Sequence, residues 1–179
     1  LLSTQALAAD TSFYVGLDYL KSSNTFTQEK AGISTDTDID SDNFKLKIGY
    51  AWQSNWRLQL YYLNETYDKT LFDDSNDKLH EIGMDVIKAF EVTPEFFPFV
   101  QVGLGYGWMS IDGYSDSSIK EIGAKVGAGV IYKITPEFEV LGGIDYQYRN
   151  WDDITYGFIT LVETAEESFN YYIGVNYHF

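Results

Sequence analysis

The sequence predicts an all-β chain, an eight-stranded antiparallel up-and-down transmembrane β-barrel. Three observations predict it. Apolar residues alternate along eight runs, the connections between runs are alternately short and long, and aromatic residues on the apolar face gather at both ends of the runs. The 179 residues are enough for one domain. Aromatics make up 17% of them, with 15 Tyr and 12 Phe, a bias that suits a pleated surface better than a helix. The absence of Cys excludes disulfides, thiolate metal sites and a cysteine nucleophile. A net charge of −15 with no basic patch excludes a nucleic-acid partner. Beyond the N-terminus the longest uncharged stretch is Phe96–Ile111, 16 residues interrupted by Gly103, Gly105 and Gly107, short of the ~18 that a spanning helix needs. Any crossing of a membrane must be made by strands.

The chain opens with Leu1-Leu2-Ser3-Thr4-Gln5-Ala6-Leu7-Ala8-Ala9-Asp10, in which Ala6-x-Ala8 is the small-x-small pattern of a signal-peptidase site. Residues 1–9 are read as the remnant of a secretory signal peptide and 10–179 as a single barrel domain. From Ser12 the apolar period is two, as in a strand, rather than 3.6. The first run presents Phe13, Val15, Leu17 and Tyr19. The second presents Phe44, Leu46, Ile48, Tyr50 and Trp52, and the third Trp56, Leu58, Leu60 and Tyr62. In the fourth, Ile82, Met84, Val86 and Phe90 alternate but Lys88 interrupts, so a bulge or the exit from the membrane is expected there. The fifth carries Val100 to Trp108, the sixth Ile122 to Tyr132, the seventh Val140, Ile144, Tyr146 and Tyr148, and the eighth Phe169 to Phe179.

The opposite faces are polar or small. They carry Asp18, Glu65, Glu81, Asp85, Glu121 and Asp145 against Lys45, Lys47, Arg57, Lys125 and Arg149, with glycines on the fifth and sixth runs. A soluble sandwich or lipocalin-like barrel also alternates, with its apolar face inward. Three details place the apolar face outward. Connections after runs 1, 3, 5 and 7 are long (22–42, 68–77, 111–119 and 150–167), whereas the others are short turns at Ser54-Asn55, Thr93-Pro94-Glu95 and Thr135-Pro136-Glu137. The long connections hold 16 acids and 2 bases, net −14 of the total −15. Aromatics flank an aliphatic middle, with Trp52, Trp56 and Tyr132 at the short-turn end and Tyr19, Trp108, Tyr148 and Trp151 at the long-loop end. Such girdles sit at the two interfaces of a bilayer, and short turns on one side with long loops on the other are the habit of outer-membrane barrels.

With these residues in view, Ser12–Phe179 resembles the small eight-stranded outer-membrane barrels of Gram-negative bacteria, of OmpA-transmembrane and OmpX type. The most specific element is the C-terminal alternation Phe169, Tyr171, Ile173, Val175, Tyr177 and Phe179. In that family such a terminus is similar to the signal read by the barrel-assembly machinery. The resemblance implies a Gram-negative outer membrane, with loops extracellular and both termini periplasmic. It implies contact with outer-membrane lipid and lipopolysaccharide, and no cofactor. Thr93-Pro94-Glu95-Phe96 recurs 42 residues later as Thr135-Pro136-Glu137-Phe138, from hairpin duplication or from convergent turn chemistry.

Buried charges persist only when paired, and eight strands leave an interior that side chains can fill. The lumen charges are therefore expected to form a plug, with a narrow pore for small solutes or protons as the alternative. Asp36, Asp38, Asp40 and Asp42 suggest divalent-ion binding, but an EF-hand loop would want Gly and Glu where Ser41 and Lys47 stand. A lipid A-modifying enzyme would need a nucleophile and a base, for which His80 and Ser110 are the only nearby pair, without an evident orienting carboxylate. The expected function is non-enzymatic: a monomeric barrel with a filled polar lumen and acidic loops that engage an extracellular partner, divalent ions or lipopolysaccharide.

Overall fold

The computed structural model of the chain describes residues 12–30, 32–69, 78–110, 118–152, 154–156 and 159–179. Residues 1–9, read as a signal remnant, lie outside them. The strands are β1 (Ser12–Lys30), β2 (Ile33–Ala51), β3 (Trp56–Tyr67), β4 (Lys78–Ala89), β5 (Phe96–Ser110), β6 (Ser118–Lys133), β7 (Phe138–Trp151), the short β8 (Ile154–Tyr156) and β9 (Ile159–His178). Each pairs antiparallel with its neighbour, and β9 pairs with both β7 and β1, so the sheet closes with no free edge through its body. Closure is what lets strands cross a bilayer, because lipid offers no partner to an edge N–H or C=O. β8 is a small flap on β9, outside the eight-strand wall.

The stagger follows from the pairing. Stepping across the sheet from Asp18 leads through Lys45, Leu63, Glu81, Gly107, Glu121 and Trp151. With Asn150 opposite Ala165, the next step falls on Thr164, whose β1 partner is Gln28, ten residues beyond the starting point (28 against 18). That shear tilts the strands and opens the interior enough for long charged side chains.

The alternation read from the sequence holds along the wall. Leu46, Ile48, Leu60, Val102, Leu104, Val126 and Ile173 are exposed on the outside, and Tyr19, Trp52, Trp56, Tyr132 and Tyr148 ring the same surface. The interior is less uniformly polar than expected. Ile87, Ala89, Phe97, Phe99, Ile131 and Leu141 point inward as an apolar wedge. Trp151, expected in the outer girdle, is 2% exposed and turned inward. It joins Phe26, Ile39, Tyr67, Leu79, Met109 and Ile119 in an apolar cap over the interior.

Two long connections are strand rather than loop. β1 and β2 continue pairing to Lys30 and Ile33, and Gly32 beside Ile33 stands at φ +78°, a backbone conformation that hairpin turns require and glycine supplies without strain. β9 begins at Ile159, so much of the expected 150–167 loop also extends the wall. Along β1 and β2 the outer face changes abruptly from Tyr19 and Phe44 to Lys21 and Asp42, then to Ser, Thr and Asp. The strands thus continue past the apolar band into water.

The opposite end is closed tightly. Asn55 sits at φ 59° in the β2–β3 turn, a region that asparagine tolerates. The two Thr-Pro-Glu-Phe turns are superimposable in their bonding. Thr93 Oγ1 accepts from the N–H groups of Glu95 (3.4 Å) and Phe96 (3.1 Å), and Thr135 Oγ1 from those of Glu137 (3.3 Å) and Phe138 (3.0 Å). Lys88 needs no bulge. β4 pairs continuously through it, and its ammonium reaches the Ser54 carbonyl at 2.5 Å across the Trp56 ring, snorkelling to the turn end.

Candidate functional site

The interior is where the chain concentrates its chemistry, because each inward polar side chain is held by β-pairing at a fixed height. At the turn end, Arg57 on β3 reaches across to Glu139 on β7 in a bidentate pair, Nη2 to Oε2 at 3.1 Å and Nη1 to Oε1. Asn176 donates to the same carboxylate at 2.6 Å, and His178 Nε2 lies 3.2 Å from it. Tyr14 donates to Gln59 at 2.9 Å, which donates to Asp85 at 2.8 Å. Above them Asp18 sits between Lys47 (2.5 Å) and Lys45 (3.5 Å), while Lys125 pairs with Asp85 at 2.9 Å and lies over the Tyr61 ring. Asp145 accepts from Asn170 at 2.6 Å and Gln101 at 3.3 Å. This half holds four carboxylates and four bases, and the charges cancel.

The hairpin end is built differently. Arg149 stands among four glutamates: Glu166 at 2.8 Å, Glu65 at 2.9 Å, Glu81 at 3.0 Å and Glu121 at 4.0 Å. Neutral donors support three of them. Ser41 serves Glu65, Tyr61 and Gln147 serve Glu81, and Trp151, Tyr67 and Ser168 serve Glu166. All members are buried. The apolar cap covers the cluster on the hairpin side, which strengthens every interaction beneath it by excluding water.

Every residue expected in the lumen network is inward-facing and buried. The balance is not the expected six acids against five bases. Glu139 and Glu166 raise the described buried acids to eight. Both were legible in principle: Glu139 continues the inward parity of Leu141, Gly143 and Asp145, and Glu166 that of Ser168 and Asn170. The interior is densely filled. Between the apolar wedge and the Asp18–Lys47 pair a cavity of about 10 Å³ remains, room for about one water. A wider recess of about 390 Å³ opens at the turn end beside Arg57, Lys133, Glu137 and His178.

The remaining candidates are not brought together. Asp36, Asp38, Asp40 and Asp42 form a ladder along the outer face of β2, spaced by about 6.6 Å at two residues of strand rise, so they do not converge. Thr27 donates to Asp36 and Thr25 to Asp38, each at 2.9 Å, and Asp42 accepts from Tyr19 at 2.6 Å beside Lys21 at 3.4 Å. That hydroxyl and ammonium hold the Asp42 carboxyl below its ordinary range. Among the described residues no group of three or more His, Asp or Glu side chains is arranged around a metal position. His80 faces outward, with Nδ1 2.7 Å from the Tyr62 hydroxyl and 3.1 Å from Asn64. Its β5 partner is Trp108, and Ser110 lies two residues farther along that strand. Phe179, at the end of the C-terminal alternation, donates its N–H to Phe13 at 2.9 Å, and its exposed ring packs edge-on against Tyr177.

The whole chain, residues 1–179, matches the outer membrane protein beta-barrel domain family. Among solved structures, the fold is shared with Neisserial surface protein A at 24% identity and a TM-score of 0.64, covering 93% of this chain and 97% of that one. It is shared with the outer membrane protein AlkL, determined in lipid bilayers, at 12% identity and a TM-score of 0.61, covering 94% and 90%. OprG of Pseudomonas aeruginosa aligns at 14% identity and a TM-score of 0.58, covering 94% and 96%. No curated protein sequence matches significantly.

Proposed function

Because the chain belongs to the outer membrane protein beta-barrel domain family, we propose that it is a non-enzymatic, monomeric integral outer-membrane protein. It presents acidic hairpins at the cell surface above a sealed lumen. The hairpin end is extracellular, and the Pro turns and both chain ends are periplasmic. The packing of the interior carries this reading. Ion pairs interlock across opposite walls, an apolar wedge and cap bracket them, and the central cavity holds about one water. Among the described residues, what reaches solvent for recognition is then the β1–β2 hairpin, with its Asp36–Asp42 ladder, together with the β9 extension that pairs with it.

In the outer leaflet, Tyr19, Trp108 and Tyr148 meet lipopolysaccharide, and divalent ions bridge the acidic hairpin to its phosphates. Trp52, Trp56 and Tyr132 form the periplasmic girdle. The C-terminal series ending at Phe179 is the segment offered to the barrel-assembly machinery. The His80 environment supports the non-catalytic reading, since its Nδ1 is already engaged by Tyr62 and Asn64.

Planar-bilayer recording tests the sealed lumen. The expected result is no discrete conductance from the folded protein. Steps that change size on Asp145→Asn or Arg149→Lys would establish the pore instead. Replacing Asp36, Asp38 and Asp40 together by Asn, which leaves the inward Ile39 and Ser41 in place, is expected to spare folding and weaken binding to lipopolysaccharide-containing vesicles in the presence of Mg²⁺. Undiminished binding would remove the hairpin from the account.

A further inference from the structure

The acid excess of the interior is confined to one place. Arg149 is the sole base described among Glu65, Glu81, Glu121 and Glu166, so the fully ionised cluster would carry a formal −3. Taking that much charge out of water is unfavourable by several kcal/mol per ion unless it is compensated. Glu121 makes the difficulty specific. It is 2% exposed, and neither carboxyl oxygen receives a hydrogen bond from an N–H or O–H donor. Its nearest cation, Arg149 Nε, is 4.0 Å away.

The group Glu121 does face is another carboxyl. Glu121 and Glu81 flank Gly107 in the pairing register, one on each side of β5, and both converge on Arg149 Nε, at 4.0 and 3.0 Å. Both lie against the glycine track of β5. A Cβ at Gly107 would fall 2.3 Å from Glu121 Oε1, and one at Gly105 2.6 Å from Glu81 Oε1. Two ionised carboxylates are both acceptors and repel when so placed. One proton between them turns the contact into a short charge-assisted hydrogen bond. Glu81 is the better anion of the two, because Arg149, Gln147 and Tyr61 all donate to it.

We propose that Glu121 is a neutral carboxylic acid that donates a shared proton to Glu81, making the hairpin-end cluster a proton-binding site in the barrel. The surrounding charges are consistent with one proton at this position. β3 contributes Glu65, β7 contributes Arg149, β9 contributes Glu166, and Lys125 on β6 is spent on Asp85. β5 brings only glycine at this height. The proton lowers the cluster's formal charge from −3 to −2. Losing it as pH rises places two adjacent anions beneath the apolar cap and loosens that end of the plug, while the charge-balanced turn end is unaffected.

Infrared difference spectroscopy of the detergent-folded protein during a pH titration reads the site directly. The expected result is a protonated-carboxyl C=O band present at neutral pH, shifted in D₂O and lost at alkaline pH. Glu121→Gln, whose amide can still donate to Glu81, should abolish that band while leaving the protein folded. Should that variant fail to fold, Glu121→Asp is expected to move the band instead. Absence of any protonated-carboxyl band in the unmodified protein at neutral pH would overturn the proposal. So would a chelator-sensitive metal found by native mass spectrometry, because a bound cation would then take the place of the proton.

Discussion

The two halves of the interior solve one electrostatic problem in opposite ways. At the turn end, four carboxylates and four bases pair nearly one to one, with Asp18 shared by two lysines and Glu139 gripped by Arg57, Asn176 and His178. At the hairpin end, one guanidinium serves four glutamates, and neutral hydroxyl, amide and indole donors supply what charge does not. The difference teaches that lumen filling and lumen neutrality are separate properties. The first follows from alternation and shear. The second depends on which residue happens to face which across the barrel.

The comparison breaks most easily at its most asymmetric member. Arg149→Met leaves the buried glutamate cluster without its cation and is expected to cost about 5 kcal/mol, at the upper end for a broken buried pair. Urea unfolding in vesicles, followed by heat-modifiable gel mobility, measures it. Asp18→Asn at the turn end strands two lysines but keeps an acceptor, and about 3 kcal/mol is expected in the same assay. Glu121→Gln should change stability at neutral pH by less than about 1 kcal/mol, since a neutral donor replaces a neutral donor.

The pH behaviour sharpens the contrast, and its sign follows from proton counting. A carboxyl that keeps its proton in the folded state binds more protons there than in the unfolded chain, so stability falls as pH rises through its titration. Unmodified protein should therefore lose stability toward alkaline pH, and Glu121→Gln should flatten that slope. Asp42 works the other way. Its carboxyl is held below the ordinary range by the Tyr19 hydroxyl and by Lys21, so its contribution is lost as pH falls. It is half exposed, and Lys21→Ala is expected to leave the unfolding midpoint essentially unmoved.

The wall of the barrel was legible because a membrane strand has one greasy face and one that is not. Parity sorted Leu46, Val102, Val126 and Ile173 onto one face and Lys45, Glu81 and Arg149 onto the other, and the connection lengths, the loop charge and the aromatic girdles set which face is outward. Three features were harder to see. The β1–β2 extension emerges into water, where both faces are polar and period two fades. Phe26 and Ile39, both turned inward, were its buried apolar trace. Two members of the apolar wedge, Phe97 and Phe99, were hidden in Phe96-Phe97-Pro98-Phe99-Val100, a continuous run with no alternation to read. Trp151 was assigned to the outer girdle by residue type, although its parity with Arg149 and Gln147 placed it inside, where its indole bonds Glu166. In the candidate site, membership of the network could be read residue by residue. Its charge imbalance was missed although parity offered it, because Glu166 stood in the segment read as loop and Glu139 just ahead of Val140, the first residue assigned to the seventh run.

The absence of cysteine permits the most direct measurement, single-cysteine spin labelling in lipid bilayers. Labels at Leu46→Cys, Val102→Cys and Val126→Cys are expected to collide readily with lipid-dissolved oxygen and to be shielded from a water-soluble nickel complex. A label at Asp38→Cys should show the reverse. If the three wall positions are instead shielded from oxygen, or reached by the aqueous relaxant as readily as Asp38→Cys, the apolar face does not meet lipid and the account is contradicted.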